Sequence, residues 1–231
     1  MKKISLLVLL FCTYLPSLRA QLSLALGYNG AVFGNVANMR NEAFYLNNYT
    51  YKNLENPFKF NNFFQGAQIE LIVGEREAKQ PFYFWSWTNQ FNYMGGSGMY
   101  NNADFKMTLS YRFNNFTFMG FGYYLTDKFA VSISPATIGL FKVFYKSTLE
   151  SDPKEKKEYH NVDKGIISSY NSYGSALYLD YYIHKNLRFR IQGYYDWFGV
   201  QLRDRTNITF VYNYRASSIS ASLAFVISKR D

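Results

Sequence analysis

The sequence predicts an all-β fold, namely an eight-stranded antiparallel transmembrane β-barrel. Two observations predict it. Apolar residues recur at every second position over stretches of about ten residues, which is the period of a strand with one apolar face. The connections between these stretches alternate between short and long, which is typical of an outer-membrane barrel. After the first 20 residues, no segment shows the period of an amphipathic helix.

The composition of the 231 residues excludes several classes of protein. With 22 tyrosines, 22 phenylalanines and only 18% charged residues, the chain is too apolar to be disordered. Its single cysteine excludes a disulfide framework, and two histidines leave little room for a metal site, so we expect no metal and no cofactor. The net charge of +9 is spread along the chain without a basic stripe, so a nucleic-acid partner is not expected.

The first 20 residues are typical of a secretory signal peptide. A methionine and two lysines give a basic start, residues 4–11 are mostly apolar, and Ala20 is a small residue at the cleavage position. The only cysteine, Cys12, lies inside this segment. We therefore expect residues 1–20 to be removed and residues 21–231 to form one barrel domain in the outer membrane of a Gram-negative cell.

The strands and their connections follow from where the alternation starts and stops. The short connections are residues 75–80, 126–128 and 184–186. The long connections are expected to be extracellular loops, near residues 35–60, 94–112, 146–172 and 199–217. The predicted strands are 21–34, 61–74, 81–93, 113–125, 129–141, 174–183, 187–198 and 218–228.

Residues 103–113 also alternate, and two interpretations of them stay open. Either they form an extracellular extension that runs into the fourth strand, or they are an extra strand of a ten-stranded barrel. Ten strands would put the long connection 146–172 on the periplasmic side, so eight strands are preferred. Pro135 interrupts the fifth strand, and because a closed barrel has no free edge, we expect a bulge or a strand end there.

One face of the predicted strands is aromatic. Because its side chains are too bulky to fill a narrow barrel together, we expect this face to contact lipid as an aromatic girdle. The alternative is a soluble calyx that keeps the apolar face inside, around a ligand. The girdle consists of Tyr83, Trp85, Trp87, Phe121, Tyr123, Phe129, Tyr195 and Trp197.

The opposite face carries small and charged residues and is expected to line the lumen. Its small residues include Gly120, Gly122, Ser132 and Ser134. Its charged residues can neutralise one another in an ion-pair network that consists of Glu70, Asp180, Arg188 and Arg190. If residues 184–186 form a three-residue turn, Asp180 lies directly opposite Arg190, close enough for an ion pair.

The sequence does not indicate catalytic chemistry. His184 lies in a predicted periplasmic turn and His160 in a charged connection, so both are expected to be solvated. The charged run 152–158 is expected to be a solvated loop. The glycine-rich residues 95–98 precede no helix and therefore do not form a phosphate-binding loop.

The chain resembles the small outer-membrane β-barrel proteins of Bacteroidota, which are related in architecture to OmpX and to the transmembrane domain of OmpA. The resemblance depends on the cleavage position at Ala20, the first strand 21–30, the hairpin 123–131 and the last strand 218–228. The chain departs from the pattern after Phe225, which is followed by Val-Ile-Ser-Lys-Arg-Asp, whereas such chains usually end on an aromatic residue.

Members of this family do not share one activity. We expect a non-enzymatic integral protein, surrounded by outer-membrane lipid, whose long loops bind a protein or a surface glycan or act in adhesion. Two alternatives stay open: a barrel subunit of an outer-membrane assembly or export complex, and an outer-membrane lipid-modifying enzyme. A solute pore is not expected, because eight strands leave no open channel.

Overall fold

The computed structural model of the chain describes residues 21–34, 47–48, 53–59, 61–100, 103–151, 160–204 and 217–228. These residues form eight antiparallel strands that close into one barrel, so the predicted fold class is confirmed. Each strand pairs with its neighbours in sequence, and the first pairs with the last. In the described part of the chain, no helix is long and apolar enough to cross a membrane. The strands are β1 (Leu22–Phe33), β2 (Phe63–Val73), β3 (Pro81–Tyr100), β4 (Ala103–Tyr124), β5 (Phe129–Ser151), β6 (His160–His184), β7 (Leu187–Asp204) and β8 (Ser218–Ser228).

Residues 103–113 extend the fourth strand and do not form a separate one. β4 runs unbroken from Ala103 to Tyr124, paired with β3 on one side and with β5 on the other. The ten-stranded alternative is therefore wrong for the residues that the structure describes. The Asn114-Asn115 pair stays extended because both residues have cross-strand partners in β3 and β5.

The central strands are longer than predicted, so the expected loops are shorter. β3 continues to Tyr100 and β4 begins at Ala103, which makes most of the expected loop 94–112 paired strand. Glycine and asparagine favour turns in an isolated segment, but here hydrogen bonds to β4 hold them extended. The prediction of a loop there is wrong for this reason.

The same extension occurs at the two following long connections. β5 reaches Ser151 and β6 begins at His160, both inside the expected loop 146–172. β7 reaches Asp204, inside the expected loop 199–217. The charged run 152–158, residues 1–20 and most of residues 35–60 lie outside the described residues.

The turn between β6 and β7 is tighter than predicted. His184 pairs with Leu187, so two residues make the turn instead of three. A register shift between Tyr182 and His184 absorbs the extra residue. As a result, Asp180 lies directly opposite Arg190, and the predicted register is confirmed.

Pro135 lies at a bulge, as predicted. The registers of β5 with both of its neighbours shift here, and Ser134 pairs with Ala176 whereas Thr137 pairs with Gly174. The Ser134 hydroxyl donates a hydrogen bond to the carbonyl oxygen of Met119 at 3.2 Å. Because proline has no N–H to donate to a ladder, the bulge lets the closed sheet accommodate it.

Strand lengths divide the barrel into two parts. β1, β2 and β8 have only 11 or 12 residues, whereas β3 to β6 have 20 to 25. Where all eight strands are present we call the structure the lower barrel; it carries the short turns. The surplus of the four long strands forms a four-stranded projecting wall, which consists of residues 92–100, 103–112, 142–151 and 160–169.

Candidate functional site

Four charged side chains meet inside the lower barrel. Arg190 binds Asp180 through two parallel hydrogen bonds, with Nε 2.6 Å from Oδ1 and Nη2 2.7 Å from Oδ2. Arg190 also donates to Glu70, with Nη2 3.1 Å from Oε1 and a second bond from Nη1 to Oε2. Arg188 Nη1 lies 2.6 Å from Glu70 Oε1, and Arg188 Nε lies 3.8 Å from Asp180 Oδ1. The structure thus brings together all four residues of the predicted network.

This cluster connects opposite walls of the barrel. Glu70 comes from β2, Asp180 from β6 and both arginines from β7, and all four side chains are buried. Two carboxylates and two guanidinium groups balance in charge, as burial requires. The Arg190 guanidinium also lies 5.2 Å from the ring centre of Phe84 and 4.7 Å from that of Tyr178. Such cation–π contacts add to the attraction when the groups are desolvated.

The lumen is filled by aromatic side chains, although the sequence predicts small ones. Phe82 and Phe84 lie inside and fill the space above two glycines of β4. A Cβ atom at Gly120 would come within 2.2 Å of the Phe84 ring, and one at Gly122 within 2.0 Å of the Phe82 ring. The alternation pattern misses these rings because residues 82–85 are all aromatic, so both faces of β3 carry them.

All eight residues of the predicted girdle lie on the outer surface. Trp85, Tyr123, Tyr195 and Trp197 are exposed, and Tyr83, Trp87, Phe121 and Phe129 are half-buried among their neighbours. Edge-to-face contact fixes the orientation of two of them, because the ring centres of Tyr83 and Phe121 lie 5.4 Å apart. The girdle is part of a wider apolar belt, whose other members include Leu24, Leu26, Ile69, Leu71, Ile133, Leu177, Leu179, Ile191, Leu223 and Phe225.

In the projecting wall, the inward and outward faces of β4 exchange polarity relative to the lower barrel. On β4, the apolar residues of the wall point inward and are buried, whereas the polar residues between them point outward. The inward set is Phe105, Met107, Leu109 and Tyr111, and the outward set is Asp104, Lys106, Thr108, Ser110 and Arg112. On β5, Phe141 and Val143 are buried while Lys142 and Lys146 lie on the outer face. The described inner face of the wall is therefore mainly apolar. Its outer face is polar on β4, but it also carries Tyr93 and Met99 of β3 and Phe144 of β5.

Residues 53–59 cover part of the inner face of the wall. Leu54 and Phe58 are buried, and the Phe58 ring lies against β3, where a Cβ atom at Gly96 would come within 2.6 Å of it. The side chain of Asn47 holds this segment, because its Nδ2 donates to the Phe58 carbonyl at 2.8 Å and its Oδ1 accepts from the Phe58 N–H at 2.7 Å. A backbone bridge between Asn56 and Ser97 ties the segment to β3.

The remaining sequence candidates lie at separate places in the barrel. His184 is exposed at the short turn between β6 and β7, away from the wall. His160 begins β6, and its side chain is outside the described set. The glycine-rich residues 95–98 belong to β3, where Gly98 has a φ of 147° and packs against the backbone of Glu55.

The chain is similar to two solved structures of Ail, the attachment invasion locus protein of Yersinia pestis. The structure of Ail in complex with the heparin analogue sucrose octasulfate superposes with a TM-score of 0.45 at 8% identity, over 90% of this chain and 99% of that one. A second structure of Ail gives a TM-score of 0.42 at 9% identity, with the same coverage. No family model matches the chain, and no curated protein matches it.

Proposed function

We propose that the chain is a non-enzymatic outer-membrane protein whose lower barrel lies in the bilayer and whose projecting wall binds a partner outside the cell. The observation that carries the proposal is the change in polarity of the outward side chains between the two parts. The lower barrel turns leucine, isoleucine and aromatic side chains outward around its circumference, whereas β4 and β5 turn mainly polar side chains outward in the wall. Such a change of outer surface along continuous strands matches a change of solvent from lipid to water.

The lower barrel has the dimensions and surface of a membrane span. A strand that crosses a bilayer needs about 9–11 residues, and β2 and β8 have 11 each. A water-soluble protein of this size rarely exposes so continuous an apolar surface. A calyx would keep that surface inside around a ligand, but here buried charges and rings occupy the interior. These features favour the membrane barrel over the calyx.

The orientation follows from the two ends. Outer-membrane barrels place short turns in the periplasm and long connections outside the cell. The turns between β2 and β3, β4 and β5, and β6 and β7 are short and lie at one end, and the wall rises from the other. The wall is therefore the part offered to partners. Its strands of nine or ten residues extend about 30–33 Å along their own direction.

Location is tested by fractionation and by cysteine labelling. The mature barrel, after the predicted cleavage, has no cysteine, so Lys106→Cys on the outer face of the wall and Lys185→Cys in the short turn introduce single thiols. In intact cells, a membrane-impermeant maleimide should label the wall thiol and leave the turn thiol unlabelled until the cells are lysed. The protein should fractionate with outer membranes and shift on a gel when it is heated. Recovery as a soluble periplasmic protein would instead support the calyx.

Binding is tested on the same variant. Cells that display Lys106→Cys should adhere to immobilised host-cell glycans and proteins more than cells with an empty vector, and a bulky polyethylene-glycol maleimide on that thiol should block adhesion. Adhesion that is absent before labelling, or unchanged after it, would remove the binding role while the membrane barrel stands.

Two further measurements address the alternatives. Cross-linking in native membranes should show the lone barrel, whereas a stoichiometric membrane partner would identify a subunit of an assembly or export complex. The lipid A mass profile of a deletion strain should equal that of its parent, and a changed profile would identify a lipid-modifying enzyme.

A further inference from the structure

Two cations lie side by side immediately above the apolar belt. On β5, the outward residues run from Ile138 and Leu140 directly to Lys142. On β4, they run from Phe116 through Asn114 to Arg112. Arg112 and Lys142 are direct cross-strand partners, so their charges are held next to each other, directly above Leu140. The next outward pair is Ser110 and Phe144, so an aromatic ring also lies above the two cations.

The pair has no acidic counterpart among its described neighbours. Directly opposed like charges destabilise a pair of strands. No carboxylate of the described residues forms an ion pair with Arg112 or Lys142. The acid on this face of β4, Asp104, lies near the tip of the wall. Further cations, Lys106 and Lys146, lie on the same outer face. An external anion would offset this repulsion.

We infer that Arg112 and Lys142 bind the phosphate group of an anionic lipid headgroup in the outer leaflet. The inference rests on the proposed membrane position of the lower barrel, because the headgroup phosphates lie directly above the hydrocarbon that the belt would contact. A guanidinium group binds two phosphate oxygens at once, and an ammonium group adds a second charge. A soluble sulfated glycan would fit the charge, but it gives no reason for the pair to adjoin the belt.

The test compares variants of the full chain folded into lipid nanodiscs. The discs contain phosphatidylcholine with a small fraction of lipid A, either phosphorylated or dephosphorylated, and native mass spectrometry counts the lipid A that the protein retains. The wild type should retain the phosphorylated form preferentially. Arg112→Gln/Lys142→Gln should retain about thirtyfold less, since each cation near a charged membrane surface contributes roughly a factor of five. The preference should weaken as salt is raised.

Two control variants distinguish the effect of where the two cations lie from the effect of the total charge of the protein. Lys59→Gln/Lys106→Gln removes two exposed cations far from the belt and should retain lipid as the wild type does. The exchange Arg112→Lys/Lys142→Arg keeps both charges and should keep most of the preference.

Three results would overturn the inference. One is equal retention of the two lipid A forms by the wild type. Another is loss of binding to soluble heparin in Arg112→Gln/Lys142→Gln with lipid retention intact, which would assign the pair to a sulfated glycan. The third is complete displacement of the lipid by millimolar inorganic phosphate, which would make the pair a general anion site. A chain that folds in the discs with its heat shift but lacks the preference would contradict this inference alone. A chain that never folds there would contradict the proposed function.

Discussion

The lower barrel and the projecting wall share four continuous strands, yet their interiors differ. Charged groups lie among the aromatic rings of the lower barrel, whereas apolar side chains dominate the described interior of the wall. In the lower barrel, Glu70 and Arg190 are inside and Leu223 is outside. In the wall, Leu109 is inside and Arg112 is outside. Both parts have the same period of two, so the period alone does not determine which face is buried. With the proposed membrane position, the outer surroundings determine it, because apolar surface is stable against lipid and unstable against water.

The two interiors therefore depend on different forces. The lower barrel holds charges that must be neutralised, since an unpaired buried charge is strongly destabilising. The wall holds leucine, methionine and aromatic side chains, and the apolar residues of segment 53–59 pack on them. The wall thus resembles the core of a water-soluble protein. Four pairs of substitutions test this difference between the two interiors.

The largest effect is expected at the buried charges of the lower barrel. Glu70 accepts hydrogen bonds from both arginines, so Glu70→Ala leaves Arg188 and Arg190 with Asp180 alone. The free energy of unfolding should fall by roughly 3–5 kcal/mol. Urea unfolding of the folded barrel in detergent micelles measures it. Asp180→Ala should cost less, because Asp180 hydrogen-bonds only Arg190, whereas Glu70 would keep its bonds to both arginines. A Glu70/Arg190 double-mutant cycle without coupling would show that the cluster is not a unit.

The second effect concerns the apolar core of the wall. Leu109→Ala removes a fully buried side chain and should cost about 2–5 kcal/mol. The adjacent Ser110 faces outward, so Ser110→Arg should change stability by no more than about 0.5 kcal/mol. The same unfolding assay compares the two. If Leu109→Ala were tolerated and Ser110→Arg were destabilising, the wall would not have an apolar interior at Leu109.

The third effect concerns the outward apolar face of β8. Leu223 is exposed near the middle of β8 and faces outward, so Leu223→Arg should cost roughly 2–4 kcal/mol at the bilayer midplane. Ser222 faces inward opposite Arg190, and Ser222→Thr should be tolerated. Refolding yield and stability in lipid vesicles provide the measurement. Equal tolerance of both changes would place β8 outside the bilayer.

The smallest effect concerns packing between lumen rings and glycines. Gly120→Ala would bring a Cβ atom within 2.2 Å of the Phe84 ring, and this overpacking should cost about 1–3 kcal/mol. Gly193→Ala is the matched control, because no atom lies within 4 Å of a Cβ at that position. Heat-modifiability on a gel, followed against temperature, compares the two. Similar midpoints for both variants would indicate that Phe84 can move aside.

The sequence is sufficient for features that depend on neighbouring residues. The alternation predicts the strands, and the tight turns predict which strands pair. The count from the turn near residues 184–186 places Asp180 opposite Arg190 even though the turn is one residue shorter than expected, since a bulge restores the register. The bulge at Pro135 is also predicted, because a missing N–H is a local property.

The alternation of apolar and polar residues does not predict features that depend on residues distant in sequence. Glu70 reaches Arg190 from 120 positions away in sequence, and only closure of the barrel sets their distance. The glycines and asparagines of residues 94–102 indicate a loop until the β4 ladder holds them extended. The inward rings of Phe82 and Phe84 need the space above Gly122 and Gly120 on the next strand.

The local sequence thus determines the all-β fold, where the strands lie and the short turns, because hydrophobic period and turn chemistry act over a few residues. The choice between eight and ten strands depends on the pairing of β4 with both of its neighbours. The tertiary structure alone decides how far the strands extend, which charges meet in the lumen and where the buried face changes sides. These properties depend on closure and on the surroundings of each level of the barrel. On β4, the residues that pack against the two halves differ, and the register shifts next to Met119 move the inward positions from odd to even numbers.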